Sequence, residues 1–111
     1  MMDYSKMSDF EINCAVAKAM GASTTESSVA NERTVFFEID DALMHKDFCN
    51  SWADAGPIIE KHNISLLCST MRSQKVWEAM TPNGEEHCWA ETNPLRAAMI
   101  AYLMMHDKGE E

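Results

Sequence analysis

The pattern that most constrains the fold lies near the end of the chain and predicts an amphipathic helix with a marked start. Asn93 can cap the first turn, and Pro94 suits the first helical position because an N–H there would have no partner within the helix. Apolar and aromatic residues then recur at helical spacing, at Leu95, Ala98, Met99, Tyr102, Leu103 and His106. A helix with one apolar face must bury that face against a second layer, so the sequence predicts a layered domain.

Two earlier segments also predict helices. Ser8-Asp9-Phe10-Glu11 has the form of a capping box, and a glycine after the apolar pattern can stop the helix, which predicts a helix over residues 9–20. Ser51 can cap a second helix that ends at His62-Asn63. Pro57 is awkward inside that helix because it removes a hydrogen bond, so the helix either starts late or has a kinked first turn.

Short runs rich in β-branched and aromatic residues predict strands. The runs are 35–39, 64–68, 75–80 and 87–90, and the second of them reads as a buried strand. Because a strong turn signal, Pro82-Asn83-Gly84, separates the last two, the final three strands are expected to form an antiparallel meander.

Two polar segments between these elements are expected to be loops. Residues 22–34 are polar and could be mobile, while residues 40–50 offer Leu43, Met44 and Phe48 as side chains that could reach the core. The elements together predict one α+β domain over residues 1–111. Its expected architecture is a small α/β sandwich, with about three helices on a mainly antiparallel sheet of three to four strands.

The charge of the chain disfavours one class of partner. Eighteen acidic residues oppose nine basic ones, for a net charge of −9. Nucleic-acid binding depends on lysine and arginine displacing counterions from phosphates, so no nucleic-acid partner is expected. A solvated surface explains the charge most simply, and an acidic face for a basic partner is the alternative. The sequence shows no signal peptide and no apolar run long enough to cross a membrane, so no membrane contact is expected.

The residues that could carry chemistry show no motif of an enzyme or a metal site. Cys14, Cys49, Cys68 and Cys88 are too far apart for paired metal ligands, so four free thiols are expected. His87 precedes Cys88 directly, but neighbours on a strand point to opposite faces, which disfavours a base and nucleophile pair. The sequence therefore predicts a protein without catalytic residues, cofactor or metal.

Six residues are candidates for contact with a ligand or partner. Arg96 lies in the first turn of the last helix, where backbone amides favour anions, although packing against the sheet edge is the alternative. Tyr102 and Met104 could form a contact surface on that helix, and Met99 reads as core. The tryptophans Trp52, Trp77 and Trp89 are predicted to be core anchors, and one of them could instead form the floor of a pocket. Trp77 and Trp89 could face each other across the hairpin.

Three blocks of the sequence resemble the phage NinX-like family of small proteins from lambdoid phages and prophages. The first block is residues 3–13, the second is residues 47–50 together with 53–61, and the third is residues 93–100. They occur in the order expected for the family. The layout is also similar to a broader group of phage α-β-α sandwich domains. Gly56 departs from that pattern, since the position before the proline often carries tryptophan in these relatives, which puts a shared aromatic pocket in doubt. The resemblance implies a phage accessory role in the host cytoplasm and implies no reaction.

Two functions remain open from the sequence. The first is a non-catalytic accessory protein that binds a host or phage protein, and a homo-oligomer is compatible with it. The second is a protein that binds or sequesters a small anionic, nucleotide-like ligand, such as a signal used in host defence. That second function needs the aromatic residues to converge with Arg33, Arg72 or Arg96, because anionic ligands favour arginine.

Overall fold

The computed structural model describes residues 4–22, 25–27, 34–39, 41–82 and 88–109. Within these residues the chain forms three α-helices, which are α1 (Asp9–Ala19), α2 (Trp52–Lys61) and α3 (Pro94–Gly109), and a 3-10 turn (Tyr4–Lys6) precedes α1. It also forms six strands, which are β1 (Thr25–Ser27), β2 (Val35–Ile39), β3 (Ala42–Lys46), β4 (Ser65–Met71), β5 (Gln74–Met80) and β6 (Cys88–Glu91).

The strands form two antiparallel sheets of three, in the orders β1-β2-β3 and β4-β5-β6. The predicted α+β class, the helices and the final antiparallel meander are confirmed. The strands are divided between two small sheets where one sheet was expected. The turn signal at 82–84 falls mostly outside the described residues.

Two segments predicted as loops contain strands. Residues 22–34 include β1 and residues 40–50 include β3, and both pair with β2. These two strands could not be recognised from their composition. An edge strand is held by backbone pairing to its neighbour, so it needs few apolar side chains of its own. Leu43 on β3 is 73% exposed and does not reach the core, whereas Phe48 is buried as expected and Met44 packs partly against the core.

The prediction of a buried strand at 64–68 is wrong. Leu67 is 52% exposed and Cys68 is exposed, although Ile64 before the strand is buried. The cause is position in the sheet: β4 lies at an edge and its main contacts are with β5 and, on one face, with α3. An apolar run alone did not distinguish an edge strand from a central one.

Helix α3 is the centre of the molecule. Its predicted apolar stripe is buried except for His106, which is exposed, and all of residues 97–103 are buried, including those off the stripe. The helix packs against α1, β5 and β6, with smaller contacts to α2 and β4. Since elements surround it on several sides, α3 is a core helix and not the cover of a sheet.

The helices begin where the capping residues in the sequence predict. Ser8 accepts from the backbone N–H of Glu11, and the Glu11 carboxylate accepts from the backbone N–H of Ser8, which completes the capping box. Asn93 Oδ1 accepts from two backbone N–H groups in the first turn of α3. Helix α2 begins at Trp52, so Pro57 lies inside it and did not delay its start. Asn63 has a positive φ of 56° just after α2, as a left-handed stop requires.

A two-residue turn joins β4 to β5, and neither of its central residues is glycine. Arg72 and Ser73 have φ of 52° and 65°, and Met71 pairs with Gln74 to close the hairpin. Positive φ at both central positions is what a type I′ hairpin turn requires, and glycine adopts it with the least strain.

Replacing Ser73 by glycine is expected to stabilise the protein by about 1 kcal/mol, because a residue with a Cβ is strained at positive φ. Chemical denaturation measures the change in the free energy of unfolding. The matched control is Ser69→Gly in β4, where the backbone is extended and glycine should instead destabilise the strand. Equal effects at the two serines would contradict this account of the turn.

Candidate functional site

The three helices point the same way, with their starts at one end of the molecule and their ends at the other. Asp9 at the start of α1 bonds to Arg96 in the first turn of α3. At the opposite end, Ala19, Lys61 and His106 from the last turns of the three helices border one cleft. The partial negative charges of three helix C-termini therefore lie near that cleft, and basic side chains there offset them.

This helix-end cleft has a volume of about 400 Å³, large enough to accept one or two side chains of a partner. One wall is apolar and consists of Ala19, Met20, Pro57 and Ile58. The rest is formed by groups that can hydrogen-bond, which are Lys61, His62, Tyr102 and His106. An apolar wall beside a few polar groups is typical of sites that bind small molecules or inserted side chains.

Three rings contact one another in tilted arrangements at the polar side of the cleft. The Tyr102 ring lies with its centroid 4.9 Å from that of His62 and 6.0 Å from that of His106. Tyr102 is buried, and burial raises the pKa of its phenol above the usual value of 10, so the phenol keeps its proton at neutral pH. The cleft therefore offers a hydrogen-bond donor between two imidazoles.

The charge of His62 depends on its surroundings. Burial, followed by the positive charges of Lys61 and His106, lowers the pKa of His62 below its usual value of 6.5. The imidazole is therefore mainly neutral at physiological pH, with one nitrogen able to donate and the other able to accept. Neutral imidazole and phenol favour an uncharged occupant with hydrogen-bonding groups.

The depressed pKa of His62 predicts a small pH dependence of stability. Because unfolded His62 binds a proton more readily than folded His62, falling pH favours the unfolded state below about pH 6.5, until the folded pKa is passed. His62→Gln removes this effect, so its Tm should fall less than that of the parent between about pH 7.5 and about pH 5. Thermal unfolding at both pH values measures the difference, and equal losses of Tm would contradict the depressed pKa.

A polar network occupies the opposite end, where the helices begin. Asn13 is fully buried; its amide donates to Asp47 at 2.9 Å, and its oxygen accepts from the backbone N–H of Cys49 at 3.0 Å. Asn50 donates to Asp9 at 3.1 Å, and Asn93 donates to the Cys49 carbonyl at 2.8 Å. This polar network ties the segment before α2 to the starts of α1 and α3.

Arg96 belongs to this polar network. Its guanidinium donates to Asp9 at 2.8 Å and to the carbonyl oxygens of Tyr4 and Met7 at 3.0 and 2.7 Å. A Glu91 carboxylate oxygen lies 3.5 Å from Arg96 Nε, and the arginine side chain is only 12% exposed. This arrangement agrees with the alternative that Arg96 packs within the protein and does not contact a ligand, because its guanidinium already donates to three acceptors.

The candidate residues whose side chains the structure describes do not converge. Tyr102 lies in the helix-end cleft and Arg96 at the opposite end. Trp52 is 58% exposed and is not a core anchor, because it lies on the outer side of the first turn of α2. Trp77 is half-buried opposite Glu91 on β6, and the Lys75 ammonium lies 6.0 Å from its ring.

Of the two remaining candidates, only Met104 has a side chain that the structure describes. Met104 is half-buried and packs against the core. The backbone of Trp89 pairs with Ala79, so Trp77 and Trp89 are not directly opposite, and the Trp89 side chain lies outside the described part of the structure. Whether any of these six residues contacts a ligand or partner stays a prediction.

The sequence did not single out Lys61 and His62, which share the cleft with Tyr102. His106 continued the predicted apolar stripe although its side chain is polar, which was a usable signal, and in the structure it is exposed at the rim of the cleft. No local signal joined the end of α2 to that stripe, since the two are brought together only by tertiary packing.

The thiols show no arrangement for nucleophilic chemistry. Burial, reinforced mainly by the Asp9 carboxylate, raises the pKa of the Cys49 thiol far above its ordinary value, which leaves it protonated. Cys14 is half-buried and Cys68 is exposed, and neither is part of a disulfide, while His87 and the Cys88 side chain lie outside the described residues. In the described part of the chain no three His, Cys, Asp or Glu side chains are grouped so as to hold a metal ion.

Comparison with known proteins finds one family. The family model described as Bacteriophage P22, NinX matches residues 3–106, which is nearly the whole chain. No curated protein matches the sequence. Among the described residues, no helix combines the length and the apolar character needed to cross a bilayer.

Proposed function

The chain belongs to the NinX family of phage proteins, and from that premise we propose that it is a non-catalytic accessory protein that binds a host or phage protein through the helix-end cleft. The observation that carries the proposal is the contact of the Tyr102 ring with both His62 and His106, beside an apolar wall. Such a cleft can take an apolar or aromatic side chain of a partner and hydrogen-bond to its edge.

The charge of the protein supports a basic partner. A net charge of −9 attracts a positively charged protein and speeds its encounter with the acidic surface. The inserted side chain then supplies contacts that are specific. We therefore expect the partner to be basic overall, and to present an exposed aromatic or aliphatic side chain.

A small anionic ligand has less support. It would need arginines to converge, but Arg96 is engaged in the polar network and Arg72 lies in the β4–β5 turn. Arg33 lies outside the described residues. The helix C-termini at the cleft also disfavour an anion.

Affinity capture from infected host lysate, with the protein and its variants as bait, tests the proposal. Met20→Glu and His106→Glu each place a carboxylate at the rim of the cleft, where both side chains are exposed. A partner of the cleft should be retained by the parent and lost with both variants. Leu43→Glu, on the exposed face of β3, adds the same charge elsewhere and should retain it.

The same experiment can contradict the proposal. A partner lost only with Leu43→Glu would place the binding surface on β3. Native mass spectrometry of the purified protein adds a second readout. A small molecule that the parent retains, and that the cleft variants lose, would support the ligand-binding alternative instead.

A further inference from the structure

The hydroxyl of Tyr102 is a buried polar group without a partner among the described residues. Tyr102 is 4% exposed, and its hydroxyl forms no hydrogen bond in that part of the chain. The one side-chain oxygen there that is fully enclosed without a partner is Thr81 Oγ1, so the Tyr102 oxygen keeps an opening to the helix-end cleft. Burying a hydroxyl is costly unless a hydrogen bond replaces its bonds to water. An occupant that bonds to Tyr102 therefore gains more than one that only fills the cleft.

The polar groups near Tyr102 are also open to an occupant. The side chains of Lys61, His62 and His106 take part in no hydrogen bond or ion pair with a described residue. The Lys61 ammonium can only donate, whereas a phenol and a neutral imidazole can each donate and accept. Donors therefore outnumber acceptors on the polar side of the cleft. The occupant that matches this side must carry an acceptor.

The opposite wall restricts the occupant further. It offers apolar contact only, from Ala19, Met20, Pro57 and Ile58, so the inserted group needs an apolar body as well as an acceptor. Aliphatic side chains and phenylalanine have no acceptor, and the indole N–H of tryptophan is a donor only. Asparagine and glutamine have an acceptor but little apolar surface. Tyrosine combines a large apolar ring with a hydroxyl that accepts and donates.

From these features we propose that the group inserted into the helix-end cleft is a tyrosine side chain of the partner protein, an inference that rests on the function proposed above. The tyrosine ring packs on the apolar wall. Its hydroxyl accepts from the Tyr102 hydroxyl and donates to the His62 imidazole. Tyrosine is also one of the residue types that most often dominate the binding energy of an interface.

The inserted tyrosine must come from a different protein. This chain has two tyrosines. Tyr102 lines the cleft itself, and Tyr4 is 5% exposed at the opposite end, where Arg96 donates to its carbonyl oxygen. Neither side chain can enter the cleft of a second copy while the fold is intact, so a second copy of this chain is not the occupant.

The selectivity of the cleft can be measured with small probes before any partner is known. p-Cresol has the side chain of tyrosine, and toluene and skatole have those of phenylalanine and tryptophan. In an NMR titration of the full chain near neutral pH, p-cresol should shift the ring signals of His62 and His106, and not that of His45 on β3. It should bind about fivefold more tightly than toluene or skatole, because of one net hydrogen bond. Without that bond toluene would be favoured, since it has no hydroxyl to desolvate.

Two matched variants connect the preference to one oxygen atom. Tyr102→Phe removes the hydroxyl and keeps the ring, so the preference for p-cresol over toluene should fall below about twofold. Tyr4→Phe makes the same change at the other buried tyrosine and should keep the preference of the parent. Circular dichroism checks that both variants remain folded.

Three results would overturn the proposal: toluene or skatole binding as tightly as p-cresol, a preference that persists in Tyr102→Phe, or no shift at His62 and His106. Failure of the proposed function is distinguishable from these results. A protein captured through the cleft, without a preference for p-cresol, overturns the tyrosine and leaves the protein-binding role. A preference for p-cresol with no captured protein overturns that role and leaves the selectivity of the cleft.

Discussion

Replacing Arg96 by methionine is expected to lower the free energy of unfolding by about 3 kcal/mol, which is large for a domain of this size. The substitution keeps much of the apolar stem but removes every hydrogen bond of the guanidinium. Asp9 then loses its charged partner, and the carbonyl oxygens of Tyr4 and Met7 lose their donor. Breaking one partner of a largely buried ion pair costs more than the pair contributes, because the other charge is left without compensation.

Two further variants make the Arg96 measurement specific. Arg96→Lys keeps the charge but cannot form the same fork of hydrogen bonds, so we expect it to recover less than half of the loss. Lys46→Met removes a more exposed ion pair, in which Nζ lies 3.6 Å from Asp54, and should cost under about 1 kcal/mol. Denaturant titration measures all three. An Arg96→Met variant as stable as the parent would mean that the guanidinium is available to a ligand, which would revive the small-ligand alternative.

Leu103→Ala should have an effect of similar or greater size, about 2–5 kcal/mol. Leu103 is 5% exposed on the central helix, so truncation leaves a cavity lined by residues of several elements. The matched control is Leu43→Ala, because the same side chain is 73% exposed on β3 and should change stability by under about 0.5 kcal/mol. Thermal and chemical unfolding of the two variants decide the matter. Equal losses at the two leucines would show that α3 is peripheral.

The helix starts could be predicted from sequence because their causes are local. Ser8 and Glu11 satisfy each other's backbone within one turn, and Asn93 accepts from the backbone N–H groups of Leu95 and Arg96 at the start of α3. No distant residue is needed to recognise them. Pro57 was harder to place, since the tertiary structure tolerates it inside α2.

Burial and exposure were harder to predict because they depend on distant elements. The pattern of α3 predicted one buried face, yet contacts from α1 and from two strands of one sheet bury the rest. Trp52 was expected in the core by its residue type, but α2 presents it to solvent. Fully buried Asn13 could not be recognised either, since its partners Asp47 and Cys49 lie more than thirty residues away.

The candidate site was predictable only in part for the same reason. Tyr102 and His106 lie one turn apart on a helix whose pattern was plain from the sequence. His62 joins them only because α2 packs beside α3. Arg96 was predicted as a ligand contact with packing as the alternative, and its three acceptors, which come from residues near the start of the chain, could not be foreseen from the sequence.

The bond between Asp9 and Arg96 has a consequence for the folding rate, because it joins residues 87 positions apart. Contacts at such separations form only after a long loop has closed, and closing it costs entropy before any contact offsets it. The β4–β5 hairpin needs only its two-residue turn and can form early. Helix α1 also packs against β1 and β2, but it cannot complete the burial of its apolar face until residues 94–109 have been made, so this domain should fold slowly for its size, and late during its synthesis.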